Sequence, residues 1–285
     1  MDNKDSIANT FQVAGALCIV CSLLVSITAV GLKSKQKNNI ALDKKRNILQ
    51  VAGFSKEEVD KMDVARVESF FDGSDERIEI QDIVINVDTG VEASKDELAP
   101  AYKKADAKGV EDFEQEKIAK DKNLSQKIDV AKIGLKSVEN FSHVYIVRDK
   151  KKDQVTRFVF PVKGKGLWST LFGFLAVDSQ FQKIEGLTFY QHGETPGLGG
   201  EVDNAKWKKQ WEGRLIFDES GELPKAYVTK GPAPVENRNA VDGLSGATIT
   251  SKGVSNLVRY WLSEEGFGKF MDNQTGNSSS SKTNG

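Results

Sequence analysis

From Phe11 to Leu32 the chain carries no charged residue and is rich in Val, Leu, Ile and Ala. At the rise of an α-helix such a stretch crosses roughly 30 Å of bilayer hydrocarbon, so it predicts one transmembrane helix. Beyond it the apolar residues thin out and become periodic. Residues 33–52 read as a polar helix, with Leu42, Ile48, Leu49 and Val51 available for contacts and Gly53 as a stop. Ser55 and Glu58 have the spacing of a capping box, for a helix reaching about Phe71. Between 78 and 87, Ile80, Ile83, Ile85 and Val87 fall among mostly polar residues in the manner of a strand.

From Ser94 to about Val138 mixed charges dominate, which fits a solvent-facing helix or an ordered loop insertion. The segment His143–Gln191 is different. Four β-rich runs, at 144–147, 155–160, 171–177 and 184–190, are separated by charged or Gly-containing turns, a spacing that predicts antiparallel pairing. Helical patterns at 203–212 and 250–264 follow. In the second, Val254, Leu257, Val258, Trp261 and Leu262 form one apolar face, with Thr250 or Ser251 as the N-cap and Gly266 and Gly268 as the stop.

The fold class expected from this pattern is α+β: a single N-terminal transmembrane helix, then a soluble domain with an antiparallel twisted sheet flanked by helices. Five segments are expected: an N-terminal tail 1–10, the span 11–32, a helical connector with a charged membrane-proximal region 33–140, a core domain 141–270 and a disordered tail 271–285.

Composition narrows the function classes. With 40 Lys and Arg against 41 Asp and Glu, the net charge of −1 gives no argument for nucleic-acid binding. Cys18 and Cys21 lie inside the apolar run, and with no third cysteine they read as small hydrophobes rather than as half of a metal or iron–sulfur site. The run is too long for a typical signal-peptide core, and Leu17 and Val20 stand where a lipoprotein anchor would need a small residue. Neither His143 nor His192 has metal-ligand spacing around it, no nucleophile elbow occurs, and Gly197-Leu198-Gly199-Gly200 is not a dinucleotide fingerprint. Neither a catalytic residue nor a metal site is assigned.

The chemistry concentrates near the end of the chain. Ser245-Gly246-Ala247-Thr248-Ile249-Thr250 is a turn of small residues that leads into the last amphipathic helix. Small residues let the backbone approach a ligand, and hydroxyls at a helix start lie where unpaired N–H groups and the helix dipole favour a phosphate. Alone, the segment also reads as an ordinary capped helix.

Beside two further runs it resembles the FMN-binding domain family. Ser245 to Thr250 is similar to the motif that flavin transferases modify there, and the resemblance implies FMN joined through its phosphate to Thr250. Glu194-Thr195-Pro196-Gly197-Leu198-Gly199-Gly200 resembles a second signature and Gly164-Lys165-Gly166-Leu167-Trp168-Ser169 a third. The continuation Thr170–Asp178 and the run Leu42–Gly53 resemble, within that family, the C subunits of Na⁺-translocating NADH:quinone oxidoreductases (NQR complexes) more than their relatives in ferredoxin:NAD oxidoreductase (Rnf-type) complexes. The resemblance covers about residues 10 to 270.

The resemblance implies an electron-carrying subunit of a translocase that couples NADH oxidation and ubiquinone reduction to Na⁺ export. It implies that covalent FMN is the cofactor, that Ser245, Gly246, Ala247 and Thr248 shape the turn at its phosphate, and that Glu194, Thr195, Leu198, Gly199 and Trp168 border its ring. The implied partners are the other subunits of a six-subunit complex, a flavin transferase and the lipid bilayer. A flavinylated subunit of the ferredoxin-linked complex and a cofactor-free membrane-tethered scaffold remain the alternatives. Placement of the domain is contested. Lys33, Lys35, Lys37, Lys44, Lys45 and Arg46 after the span put it in the cytoplasm by the positive-inside rule, whereas the resemblance implies the periplasmic side of a bacterial inner membrane.

Overall fold

The structure is a computed structural model that describes residues 7–218, 221 and 224–276. It falls into two compact units, residues 1–44 and 45–285. The first unit is the leading part of α1 (Ile7–Val51), whose apolar residues Phe11, Leu17, Leu23, Val25 and Ile27 are exposed. Helices of this length and mean hydropathy, 2.5 over the richest window, are able to cross a membrane. Two of its hydroxyls are satisfied locally: Ser22 donates to the Ile19 carbonyl and Thr28 to that of Leu24, each at 2.9 Å. The expected tail at 1–10 is shortened by this helix; residues 1–6 lie outside the described residues.

The second unit begins with the end of α1. The single helix expected from Ser55 to Phe71 is two, α2 (Lys56–Asp60) and α3 (Val64–Ser69). The capping box at Ser55 and Glu58 is present, but Asp63 accepts from the Arg66 N–H at 2.8 Å and starts a new helix there. There follow β1 (Ile78–Asn86), β2 (Val91–Glu92), α4 (Lys95–Ala105), β3 (Ser125–Lys127), α5 (Val130–Ile133), β4 (Ser137–Glu139) and four long strands, β5 (Phe141–Asp149), β6 (Gln154–Lys165), β7 (Thr170–Asp178) and β8 (Lys183–Gln191). The chain closes with α6 (Ala205–Lys209), β9 (Arg214–Leu215), β10 (Tyr227–Val228), β11 (Ala240–Val241), α7 (Thr248–Leu262) and α8 (Gly268–Thr275).

One antiparallel sheet of seven strands, in the order β2-β1-β5-β6-β7-β8-β9, organises the unit. The expected boundary at residue 140 is therefore not a boundary of the fold: β1 pairs with β5 along its whole length, Ile78 opposite Asp149 through Asn86 opposite Phe141. Alternation along the strands sends Phe158, Phe160 and Val162 of β6 and Leu171, Leu175 and Val177 of β7 to one face, where Val254, Leu257, Val258 and Trp261 of α7 cover them. The other face is covered in part by the end of α1, where Val51 packs against Gly186.

The charged stretch 94–138 is an ordered insertion with a small core of its own. Leu98, Ala101, Ala105, Phe113, Ile118 and Leu124 pack with Val84 and Phe141 while their charged neighbours face outward. Nor do Gly266 and Gly268 simply stop the last helix. The chain turns after Leu262, the Phe267 N–H bonds the Trp261 carbonyl at 2.7 Å, and Gly268 opens α8. Phe267, Phe270 and Met271 are buried against the sheet, so the part of the expected tail at 271–275 is helix; residues 277–285 lie outside the described residues.

Candidate functional site

Three loops meet at one end of the sheet. The first is the turn from β6 to β7, the second follows β8, and the third leads into α7, and each carries one of the runs singled out in the sequence. Their meeting point is a hydrogen bond: Thr250 Oγ1 donates to Glu194 Oε2 at 2.6 Å, with Thr250 1% and Glu194 6% exposed. Thr250 lies in the first turn of α7, on the side that carries the buried residues Val254 and Leu257.

The carboxylate of Glu194 is held from the other side by the β6–β7 turn. Its Oε1 accepts from the backbone N–H groups of Trp168 at 2.9 Å and Ser169 at 3.0 Å and from the Ser169 hydroxyl at 3.2 Å, and Oε2 accepts from the Leu167 N–H at 3.1 Å. Successive N–H groups converging on one anion form a nest. Burial by itself would raise the pKa of Glu194, but the hydrogen bonds from Thr250, Ser169, Trp168 and Leu167 to its charged form outweigh burial and hold it below the ordinary glutamate value. No charged side chain is among the donors.

Two glycines make the close approach possible. A Cβ on Gly199 would stand 2.7 Å from Thr250 Oγ1 and 2.8 Å from Glu194 Oε2, and one on Gly166 would stand 2.6 Å from Glu194 Oε1. Any side chain at either position forces the pair apart.

The remaining candidates sit around this pair in different ways. Leu198 lies over Gly246, whose added Cβ would meet Leu198 Cδ2 at 2.9 Å, and Thr195 contributes its carbonyl, which accepts from the N–H groups of Leu198 and Gly200 at 3.1 and 2.9 Å. Ser245, Thr248 and Ile249 are exposed, and Ala247 is buried. Trp168 joins through its backbone N–H, while its indole is 67% exposed and stacks on no aromatic ring among the described residues. Glu194, expected beside the flavin ring, contacts the hydroxyl of Thr250.

The expected N-cap is also different. Ala247 occupies that position without a side-chain cap, because Thr250 is committed to Glu194 and Ser251 accepts from the Leu244 N–H at 3.1 Å. The first turn of α7 therefore begins without a side-chain cap, which suits an anionic group. Leu167, Ser169 and His192 were not among the candidates. His192 Nδ1 accepts from the Glu194 N–H at 3.2 Å and its Nε2 meets Asp203 at 2.8 Å. The sequence signal for Ser169 was its place in the third run; His192 had none beyond adjacency. His143 is a core residue, set between Asp82 at 2.7 Å and the Phe113 carbonyl at 2.8 Å. No group of three or more metal-ligating side chains occurs among the described residues.

A phosphate monoester of a flavin fits this arrangement: a hydroxyl for the ester, a helix start without a side-chain cap for the phosphate charge, and the uncovered apolar surfaces of Leu167, Trp168, Leu198 and Ile249 for a planar ring. Known proteins resemble this chain. Residues 166–263 match the family model of the FMN-binding domain. The C subunit of the Na⁺-translocating NADH-quinone reductase of Vibrio parahaemolyticus is 40% identical over 273 residues, covering 94% of this chain and 95% of that one. Its counterpart from Yersinia pestis is 38% identical over 271 residues, covering 94% and 93%. The crystal structure of Shewanella oneidensis NqrC superposes with a TM-score of 0.68 at 29% identity, covering 82% of this chain and 99% of that one. On its sequence, over nearly its whole length, this chain belongs to the family of the C subunits of Na⁺-translocating NADH-quinone reductases.

Proposed function

We propose that this chain carries FMN as a phosphoester on Thr250 and relays electrons between redox centres of partner subunits, within a membrane complex that oxidises NADH, reduces ubiquinone and exports Na⁺. The observation that carries the reading is the buried Thr250 hydroxyl, set at the junction of the three runs that resemble the FMN-binding family and bonded to Glu194 at 2.6 Å. When bound, FMN supplies reversible electron storage. The work of the protein is then to hold it. Thr250 anchors it, the first-turn amides of α7 with Ser245 and Thr248 bound its phosphate, and Trp168, Leu198 and Leu167 shelter the ring. A covalent link keeps the carrier from dissociating between turnovers.

The anchor is α1, with the soluble unit on the periplasmic side of a bacterial inner membrane, where a flavin transferase completes it. The NADH and quinone sites and the Na⁺ path belong to other members of a six-subunit assembly. The uncharged stretch Phe11–Leu32 supports this division, since ion pathways in membranes generally need ionisable or polar ligands. The deciding experiment is co-expression with a flavin transferase, followed by a denaturing gel read for flavin fluorescence and an intact mass. Fluorescent wild type and dark Thr250→Ala are expected; a Thr250→Ala chain that still fluoresces sinks the assignment.

A further inference from the structure

We propose that Asp82 and His143 form a one-proton latch, which holds residues 110–118 of the charged insertion against the sheet and opens as pH rises. The inference does not depend on the flavin assignment, because it concerns a cluster remote from the three loops of the candidate site.

Both ring nitrogens of the buried His143 face oxygen. Nε2 lies 2.8 Å from the Phe113 carbonyl and Nδ1 lies 2.7 Å from Asp82 Oδ1. A carbonyl only accepts, so Nε2 carries a hydrogen and donates it. The second contact then needs one more proton, either on Nδ1 facing a carboxylate or on Asp82 facing a bare Nδ1. A neutral imidazole beside a carboxylate has one hydrogen too few. One of the two contacts then becomes a pair of facing acceptors, which costs free energy in a buried place.

The insertion is the part free to yield. Asp82 and His143 are fixed in the ladder of β1 and β5, where Asp82 stands opposite Tyr145 and Val84 opposite His143. Phe113 lies in neither a helix nor a strand. Its segment meets the sheet through this carbonyl, through a small apolar core shared with Val84 and Phe141, and through Gln115, whose Oε1 accepts from the His143 N–H at 2.9 Å. Gln115 Nε2 also donates to the buried Glu139 at 2.6 Å, and the other oxygen of Glu139 meets Lys163 of β6.

The titratable groups around the pair come from several elements. Glu116, beside Gln115, acts on His143 and accepts from the Tyr190 hydroxyl of β8 at 3.0 Å. Lys45 of α1, itself paired with Glu68, and Glu111 of the insertion act on Asp82. Tyr145 of β5 is stacked on the imidazole at 5.7 Å, and Tyr102 of α4 meets Phe113 edge-on at 5.4 Å. Burial pushes all three phenols, Tyr102, Tyr145 and Tyr190, above their ordinary value, so none titrates below about pH 10. Burial alone would lower the pKa of His143. The charge of Asp82 and the hydrogen bonds to Asp82 and to the Phe113 carbonyl outweigh it and hold the imidazolium above the ordinary histidine value. Because folding raises this pKa, the latch contributes fully below the unfolded value of about 6.5 and is lost as pH climbs through the folded pKa.

The test is amide hydrogen exchange of the full chain in detergent micelles from about pH 6 to about pH 9, with intrinsic exchange rates divided out. Peptides covering residues 110–118 should lose at least about ten-fold in protection over that range, while those of β7 keep theirs. Asp82→Asn removes the titration, since its amide can donate to a neutral Nδ1, and should give a flat profile at 110–118. Wild-type protection that does not change with pH overturns the proposal, as does a loss shared equally by β7 or an unchanged loss in Asp82→Asn. Should that variant fail to fold by circular dichroism, His143→Gln replaces it, because its amide can reach the Phe113 carbonyl and does not titrate; a flat profile is again expected. Nuclear magnetic resonance of the imidazole carbons gives a second readout, His143 being the signal that survives in His192→Gln. Its pKa should lie above about 6.5 in the wild type and fall in Asp82→Asn, and a wild-type value at or below about 6.5 overturns the latch.

Discussion

Two buried carboxylates in this fold are stabilised in opposite ways. Glu139, wholly buried at the end of β4, is bonded to the ammonium of Lys163, and its other oxygen accepts from Gln115 Nε2 at 2.6 Å. Gln115 in turn accepts from the His143 N–H at 2.9 Å, and the Lys163 carbonyl accepts from the Trp261 indole at 2.8 Å. Glu194, at the open end of the sheet, has no cation beside it among the described residues and is held by backbone N–H groups and two hydroxyls. The first arrangement neutralises its charge and ties β4 to β6. The second preserves the charge and aims it at one hydroxyl.

The largest effect should come from breaking the neutralised pair. Lys163→Met leaves Glu139 buried without a cation and should cost about 3–5 kcal/mol, read as a lower denaturation midpoint in urea. Adding Glu139→Leu should recover most of that loss, since an apolar pair of similar volume carries no orphaned charge.

At Glu194 a smaller loss is expected. Glu194→Gln at neutral pH turns an amide toward N–H donors and should cost about 1–3 kcal/mol, measured in the same titration. Its dependence on pH has a definite sign. The folded pKa of Glu194 lies below its unfolded value near 4.3, so its contribution is complete above about pH 5 and is lost as pH falls through the folded pKa. The stability gap between wild type and Glu194→Gln should therefore narrow on acidification below about pH 4; a gap that widens would refute the carboxylate assignment. The smallest effect is expected at Trp168, whose exposed indole contributes no packing: Trp168→Ala should leave stability within about 0.5 kcal/mol. A larger loss would mean that the ring serves the fold.

Much of this was legible along the chain. The apolar run at 11–32, the four long strands and the stripe on α7 follow from continuous apolar runs and from a periodicity of about 3.6, because the central strands are buried on both faces and α7 on one. The Ser55 and Glu58 capping box is likewise a matter of four adjacent residues. Where several interactions compete, the local signal failed. Thr250 and Ser251 each have the chemistry of an N-cap, yet both hydroxyls are taken by partners distant along the sequence or by the preceding turn, and Ala247 holds the cap position. β1 was readable as a strand, but nothing local says that it joins β5 rather than an accessory region.

The candidate site shows the same division. Which residue types were required, a hydroxyl, small residues and a glutamate, was written in three short runs, and their resemblance to the FMN-binding family was carried by identity and order alone. That the Glu194 carboxylate would meet the Thr250 hydroxyl, with Gly166 and Gly199 thinning the backbone around it, was decided only when the sheet brought residues 166, 194, 199 and 250 to one end. Periodicity and motif depend on neighbours within a few residues. A charge held by N–H groups 25 to 27 positions away depends on register, which exists only once the strands have paired.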